Sequence, residues 1–138
     1  MRKKKIGFSV LIIVLIAVFV LKQMYLLFFV FSHETTAIKL RNIEVTSDSV
    51  AFEYNALPGY FICSCSYDLD DNGTLTLRFR DTQNSFAYDF FTQISEVDIN
   101  NHIIINDVHN VNKIVIADSD KSVTAWTLEE GNTEGGEW

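Results

Sequence analysis

From Ile6 to Leu21 sixteen residues pass without a charge, and no polar face runs through them. Lys22 and Gln23 interrupt the run, and Met24 to Phe31 is apolar again and rich in aromatics. A helix needs roughly 20 predominantly apolar residues to span a bilayer. Residues 6–31 read as one such helix, crossing with tilt. Lys22 then snorkels along its stem toward the outer headgroups. Tyr25, Phe28 and Phe29 form an aromatic belt at that interface. A cleaved signal peptide is the rival, but its apolar region is usually only about 7–15 residues long. The one loose cleavage site, Thr35-Thr36-Ala37, lies past the apolar run. An uncleaved anchor is therefore expected.

After a short polar hinge at residues 32–37 the period changes to two. Ile38, Leu40, Ile43 and Val45 mark a first strand, with a bulge near Arg41–Asn42 where the alternation slips by one. Val50, Phe52 and Tyr54 mark a second, and Leu57-Pro58-Gly59 is a turn signal. Tyr60 to Asp68 is a third, with Phe61, Cys63, Cys65 and Tyr67 on one face. Asn72-Gly73 closes a hairpin onto Thr74–Arg80, where Leu75, Leu77 and Phe79 point inward. Asp81–Ser85 reads as a polar loop. Phe86–Phe91 reads as an aromatic strand, although a short helix also fits. His102–Ile105, Lys113–Ala117 and Ser122–Leu128 complete the set, and residues 129–138 read as a disordered acidic tail. The fold class expected is mainly β: one N-terminal transmembrane helix, then a small antiparallel sandwich or curled sheet over residues 38–128.

Charge sharpens this division. The first 31 of the 138 residues carry Arg2, Lys3, Lys4, Lys5 and Lys22 and no acid. The rest holds six Lys or Arg against all 18 Asp or Glu, a net −12. The basic stub, residues 1–5, places the N-terminus inside by the positive-inside rule, so the acidic domain faces out of the cell membrane. An outer domain this acidic will not neutralise phosphates, which excludes nucleic acid. Basic proteins, basic peptides and cations are its electrostatic partners.

Candidate chemistry is sparse. Asp68-Leu-Asp70-Asp-Asn72-Gly73 matches the start of a calcium loop, with Asp68, Asp70 and Asn72 as ligands. Phe79 stands where the closing bidentate Glu belongs, so a plain hairpin is the favoured reading. Cys63 and Cys65 lack metal or redox C-x-x-C spacing. In an extended strand their Cα atoms lie roughly 6.5–7 Å apart, at the edge of disulfide reach, so two buried thiols are expected. The alternatives are a strained redox bridge or bonds between chains. His33, His102 and His109 are widely spaced, and no nucleophile elbow, phosphate loop or H-E-x-x-H motif occurs. No catalytic residue is assigned. In Phe86-Ala-Tyr88-Asp-Phe90-Phe91 the aromatics fall on both faces of a strand, which makes Tyr88, Phe90 and Phe91 a candidate binding surface.

Four features together resemble the small membrane-anchored extracytoplasmic all-β proteins of Gram-positive bacteria. They are Arg2–Lys5 with the apolar run, the Gly59-Tyr60-Phe61 strand entry, the Asn-Gly hairpin, and the pair formed by Lys113–Ala117 and Thr124-Ala-Trp126. The resemblance is architectural, covers most of the chain and implies no catalytic motif. The function expected is a membrane-anchored protein-binding module: an immunity- or inhibitor-like protein, or an accessory subunit of an envelope complex. The alternative is an extracytoplasmic calcium or redox sensor.

Overall fold

Hydrophobic pattern becomes exposed surface in the first element. In the computed structural model, which describes residues 2–132, α1 (Arg2–Tyr25) runs into a wider π-helical turn at Leu26–Val30. Gly7–Val30 is long and apolar enough to cross a membrane. Every residue from Gly7 to Lys22 is exposed, so none of the described residues covers this stretch of the helix. The side chains of Arg2, Lys3, Lys4 and Lys5 lie outside the described residues, as does the tail from Thr133 onward.

The remainder is mainly β, as its two-residue period predicts. The strands are β1 (Ser32–Thr35), β2 (Lys39–Val45), β3 (Ser49–Asn55), β4 (Phe61–Leu69), β5 (Thr74–Thr82), β6 (His102–Asn106), β7 (Lys113–Ala117), β8 (Ser122–Thr127) and β9 (Gly131–Asn132). A three-stranded antiparallel sheet, β2-β3-β6, faces a six-stranded sheet centred on β5. The two share one core. Leu40, Val50, Phe52, Ile103 and Ile105 from the small sheet meet Leu75, Leu77, Phe79, Ile114 and Ile116 from the large one. Each fully buried Leu, Ile or Phe contributes on the order of 2 kcal/mol.

Strand β5 organises the large sheet. β4 pairs with it antiparallel from Leu75 to Thr82, filling one edge. The other edge is divided: β7 runs parallel to Thr74–Leu77, and β1 runs antiparallel to Phe79–Thr82. The sheet is thus mixed, where an antiparallel one was expected. The parallel pair arises because the chain leaves β5, passes through a helix and β6, and only then returns as β7.

That helix is α2 (Ser85–Ile94), the short helix left open beside the strand reading of Phe86–Phe91. Asn84 caps it, its Oδ1 accepting the Ala87 N–H at 2.9 Å. Ala87 and Phe91 lie one turn apart and pack onto the outer face of the large sheet. Three further readings are corrected. Ser32–Thr35 is no free hinge but β1, paired with β5. Asp81 and Thr82 are buried residues of β5, not the start of a loop. Residues 129–132 form a turn and β9 beside β8 instead of beginning the tail. The bulge expected near Arg41–Asn42 is present, with Asn42 at φ 50°.

The Asn72-Gly73 turn is latched to β7. Asn112 donates its side-chain amide to the Asn72 carbonyl at 2.8 Å and its backbone N–H to the Gly73 carbonyl at 2.9 Å. Gly73 has φ +83°, and a Cβ there would stand 2.5 Å from the Asn110 carbonyl oxygen. Both facts require glycine. Gly73→Ala is expected to cost about 2 kcal/mol or more. Thermal unfolding of the detergent-solubilised chain measures it; an unchanged midpoint would refute the latch as a stabilising contact.

Candidate functional site: the helix-to-sheet junction and an aromatic groove

The end of the apolar helix is built into the sheet. Phe31 N–H bonds the Leu26 carbonyl at 2.7 Å, widening the last turn, and the Ser32 hydroxyl donates to the Leu27 carbonyl. The widened turn is a π-helical one, a form often found at functional positions. Arg80 of β5 then closes the junction. Its Nη1 donates to the Phe28 carbonyl at 3.1 Å and to Ser32 Oγ at 2.9 Å. Its guanidinium also stands 5.5 Å from the Phe28 ring centroid and 5.2 Å from that of Phe91. Thr82 Oγ1 donates to the Phe31 carbonyl. Carbonyls orphaned at the helix end thus find donors on β5.

This reassigns one expected interface residue. Tyr25 and Phe29 pair on the exposed helix surface, centroids 5.4 Å apart, and Lys22 is exposed. Phe28 turns inward and meets Phe91 edge-to-face at 5.1 Å. It docks the helix on the domain instead of joining a belt. Arg80 itself reads from sequence only as an outward position on an amphipathic strand. Its alternation with Phe79 was the available signal, but the cover supplied by Phe28 and Phe91 is a tertiary effect.

The expected binding surface is also redrawn. Phe91 is buried beside Leu27, Cys63 and Ala87, and Tyr88 and Phe90 are both half-buried against the same cluster. Tyr88 also meets Phe61 at 6.2 Å. Phe61 is 62% exposed, and Leu57 is 46% exposed. Between them runs a groove of about 380 Å³ with walls of Tyr54, Tyr60, Phe61 and Tyr88. An apolar pocket of about 340 Å³ beside Gln83–Ser85 continues it. The Pro58-Gly59 turn and the polar side chains of Asn55 and Asn101 rim this aromatic floor.

Of the three residues in the calcium reading, Asp70 has a side-chain oxygen engaged in the turn. Asp70 Oδ1 accepts the backbone N–H groups of Asn72 and Thr74, both at 2.9 Å, which fixes the hairpin turn. Asp68 sits in β4 opposite Thr76. Among the described residues no three His, Cys, Asp or Glu side chains converge as a metal site. The histidines stay apart; His109 Nδ1 lies 3.2 Å from the Ser47 carbonyl.

The two cysteines do not share a face. A bulge between Ile62 and Ser64 turns Cys63 toward α2, while Cys65 faces the sandwich core. Cys63 Sγ donates to the Arg80 carbonyl at 3.3 Å. Both are free and buried, and burial pushes each thiol up to about 12. No protein-family model, curated protein or solved structure matches this chain.

Three expectations follow. Arg80→Met removes the two Arg80 hydrogen bonds from the junction and is expected to cost about 2–3 kcal/mol. It should also speed hydrogen exchange at residues 27–32 while leaving β2, β3 and β6 protected; uniform exchange would sink this account. At pH 8 both thiols should react with a disulfide reagent at least about a hundredfold slower than in denaturant, because so little thiolate forms. Folded thiols also hold their protons more tightly than unfolded ones. Stability should therefore fall as pH rises from about 9 toward about 12.

Proposed function

We propose that this chain is a single-pass, membrane-anchored protein-binding module, its N-terminus inside and its β domain outside the cell membrane. The domain engages an envelope or secreted protein, in the manner of an immunity or inhibitor protein or of an accessory subunit. The observation that carries this reading is the aromatic groove: Leu57 and Phe61 stay exposed at a concavity walled by Tyr54, Tyr60 and Tyr88, whereas the other exposed large apolar side chains of the domain, Phe86, Ile94, Ile104 and Leu128, do not line it. Exposed aromatics flanked by polar residues are typical of docking sites. The acidity of the domain selects a basic partner and speeds its encounter. The helix supports the bilayer as second partner, since Gly7–Val30 has the length and apolarity to cross it.

Two measurements test this. Protease added to intact protoplasts should degrade the β domain and spare the helix; a domain resistant until lysis would reverse the orientation. A photo-crosslinking residue at Phe61 should give a discrete adduct with one basic protein in membranes, and one at Ser122, on the remote edge, should not. Phe61→Ala should weaken capture by roughly tenfold or more. Equal labelling from both positions would defeat the groove as the binding face.

A further inference from the structure

A second concavity lies at the base of the junction, separate in chemistry from the aromatic groove. It is a cleft of about 290 Å³, lined by Val30, Phe31, His33, Tyr60 and the stretch from Asp81 to Asn84. Asp81 forms its acidic wall. This residue is only 5% exposed, although it carries a carboxyl group. His33 faces it across the β1–β5 pairing. Burial raises its pKa above the ordinary aspartate range, and His33, its own backbone N–H and Arg80 offset that only in part. A buried carboxyl is costly to ionise and gains when a further cation arrives.

The surroundings specify which cation. Arg80 is held on the other face by Phe28, Ser32 and Phe91, so it does not fill the cleft. His33 stands opposite Asp81 in the β1–β5 register, and Tyr60, Gln83 and Asn84 bring polar groups to the same space. Asn84 Oδ1 is engaged in capping α2, which leaves its side-chain N–H groups as donors. The cleft thus sets an acceptor for an ammonium beside several donors for an anion. Val30, the last residue of the apolar span, forms part of its wall. That position coincides with the headgroup layer if the helix is anchored as proposed above. An anionic lipid is disfavoured by the net −12 of residues 32–138, whereas a zwitterion is not.

We propose that the Asp81 cleft binds the phosphoethanolamine group, its primary ammonium on the Asp81 carboxylate and its phosphate on the His33, Tyr60, Gln83 and Asn84 side. The same chemistry reaches the cleft either as a phosphatidylethanolamine headgroup or as free phosphoethanolamine. Trimethylation of the amine removes all three N–H donors, so phosphatidylcholine is the discriminating control.

The full chain, reconstituted in nanodiscs of equal phosphatidylethanolamine and phosphatidylcholine, is released for native mass spectrometry. Retained phosphatidylethanolamine should exceed phosphatidylcholine by on the order of tenfold, the worth of one charge-assisted hydrogen bond. Asp81→Asn should abolish that preference with unchanged circular dichroism. The wild-type ratio stands as a test even where the variant misfolds. Free O-phosphoethanolamine added to the discs assigns the source. No competition supports the lipid, and competition at micromolar concentration supports the soluble form of the same group. Equal retention of the two lipids overturns the proposal, as does a preference that survives in folded Asp81→Asn. Failure to insert into discs would instead overturn the anchored reading, so the two failures are distinguishable.

Discussion

Strand β5 has two edges and three partners, and the arrangement of the molecule follows from that constraint. β4 takes one edge along almost its whole length. The opposite edge is shared end to end, β7 on its first half and β1 on its second. Because β1 is the direct continuation of the apolar helix, the helix end is compelled to lie against the C-terminal half of β5. Arg80 sits at that position, with its guanidinium facing the Phe28 and Ser32 acceptors. A backbone pairing rule thus fixes where the polar contacts of Arg80 and Thr82 with the helix end can form. The cleft at Asp81 and the groove at Phe61 are both consequences, since Ser32, Phe61 and Thr82 meet at one register position.

Much of this architecture is legible in the chain. The β5 alternation of Leu75, Leu77 and Phe79 reads directly, as do the Asn72-Gly73 turn and the bulge after Arg41. Each depends on neighbours close in sequence. The failures depend on distant ones. Ser32–Thr35 carries no apolar alternation, and becomes a strand only because β7 leaves half an edge of β5 open. α2 was obscured because its four aromatics populate every side of a short segment, and Phe and Tyr both favour strands. Asn84 as a cap was the clue, since its side chain and the Ala87 amide define the helix start.

The sites divide along the same line. Asp68, Asp70 and Asn72 have the spacing of a calcium loop, yet Asp70 serves its own turn and Asn72 is tied to Asn112. Cys63 and Cys65 look like a pair until the bulge at Ile62–Ser64 parts them. Small residues such as Cys and Ser carry no hydrophobic contrast that would reveal such a slip. Asp81 was hidden for another reason: a buried aspartate at the end of a strand has the same sequence signature as the first polar residue of a loop.

The seamless passage from helix to β1 has a mechanical meaning. A flexible tether lets a domain wander over a hemisphere and uncouples it from whatever the bilayer does. Here the last helical turn and the sheet are joined by hydrogen bonds from Arg80 and Thr82 with no free linker between them. For an anchored chain, the domain is then a pointer fixed to its shaft. A change in helix tilt of about 20° displaces a point about 30 Å away by about 10 Å. Bilayer thickness, or a neighbouring helix packed against α1, thereby sets the height and heading of the aromatic groove.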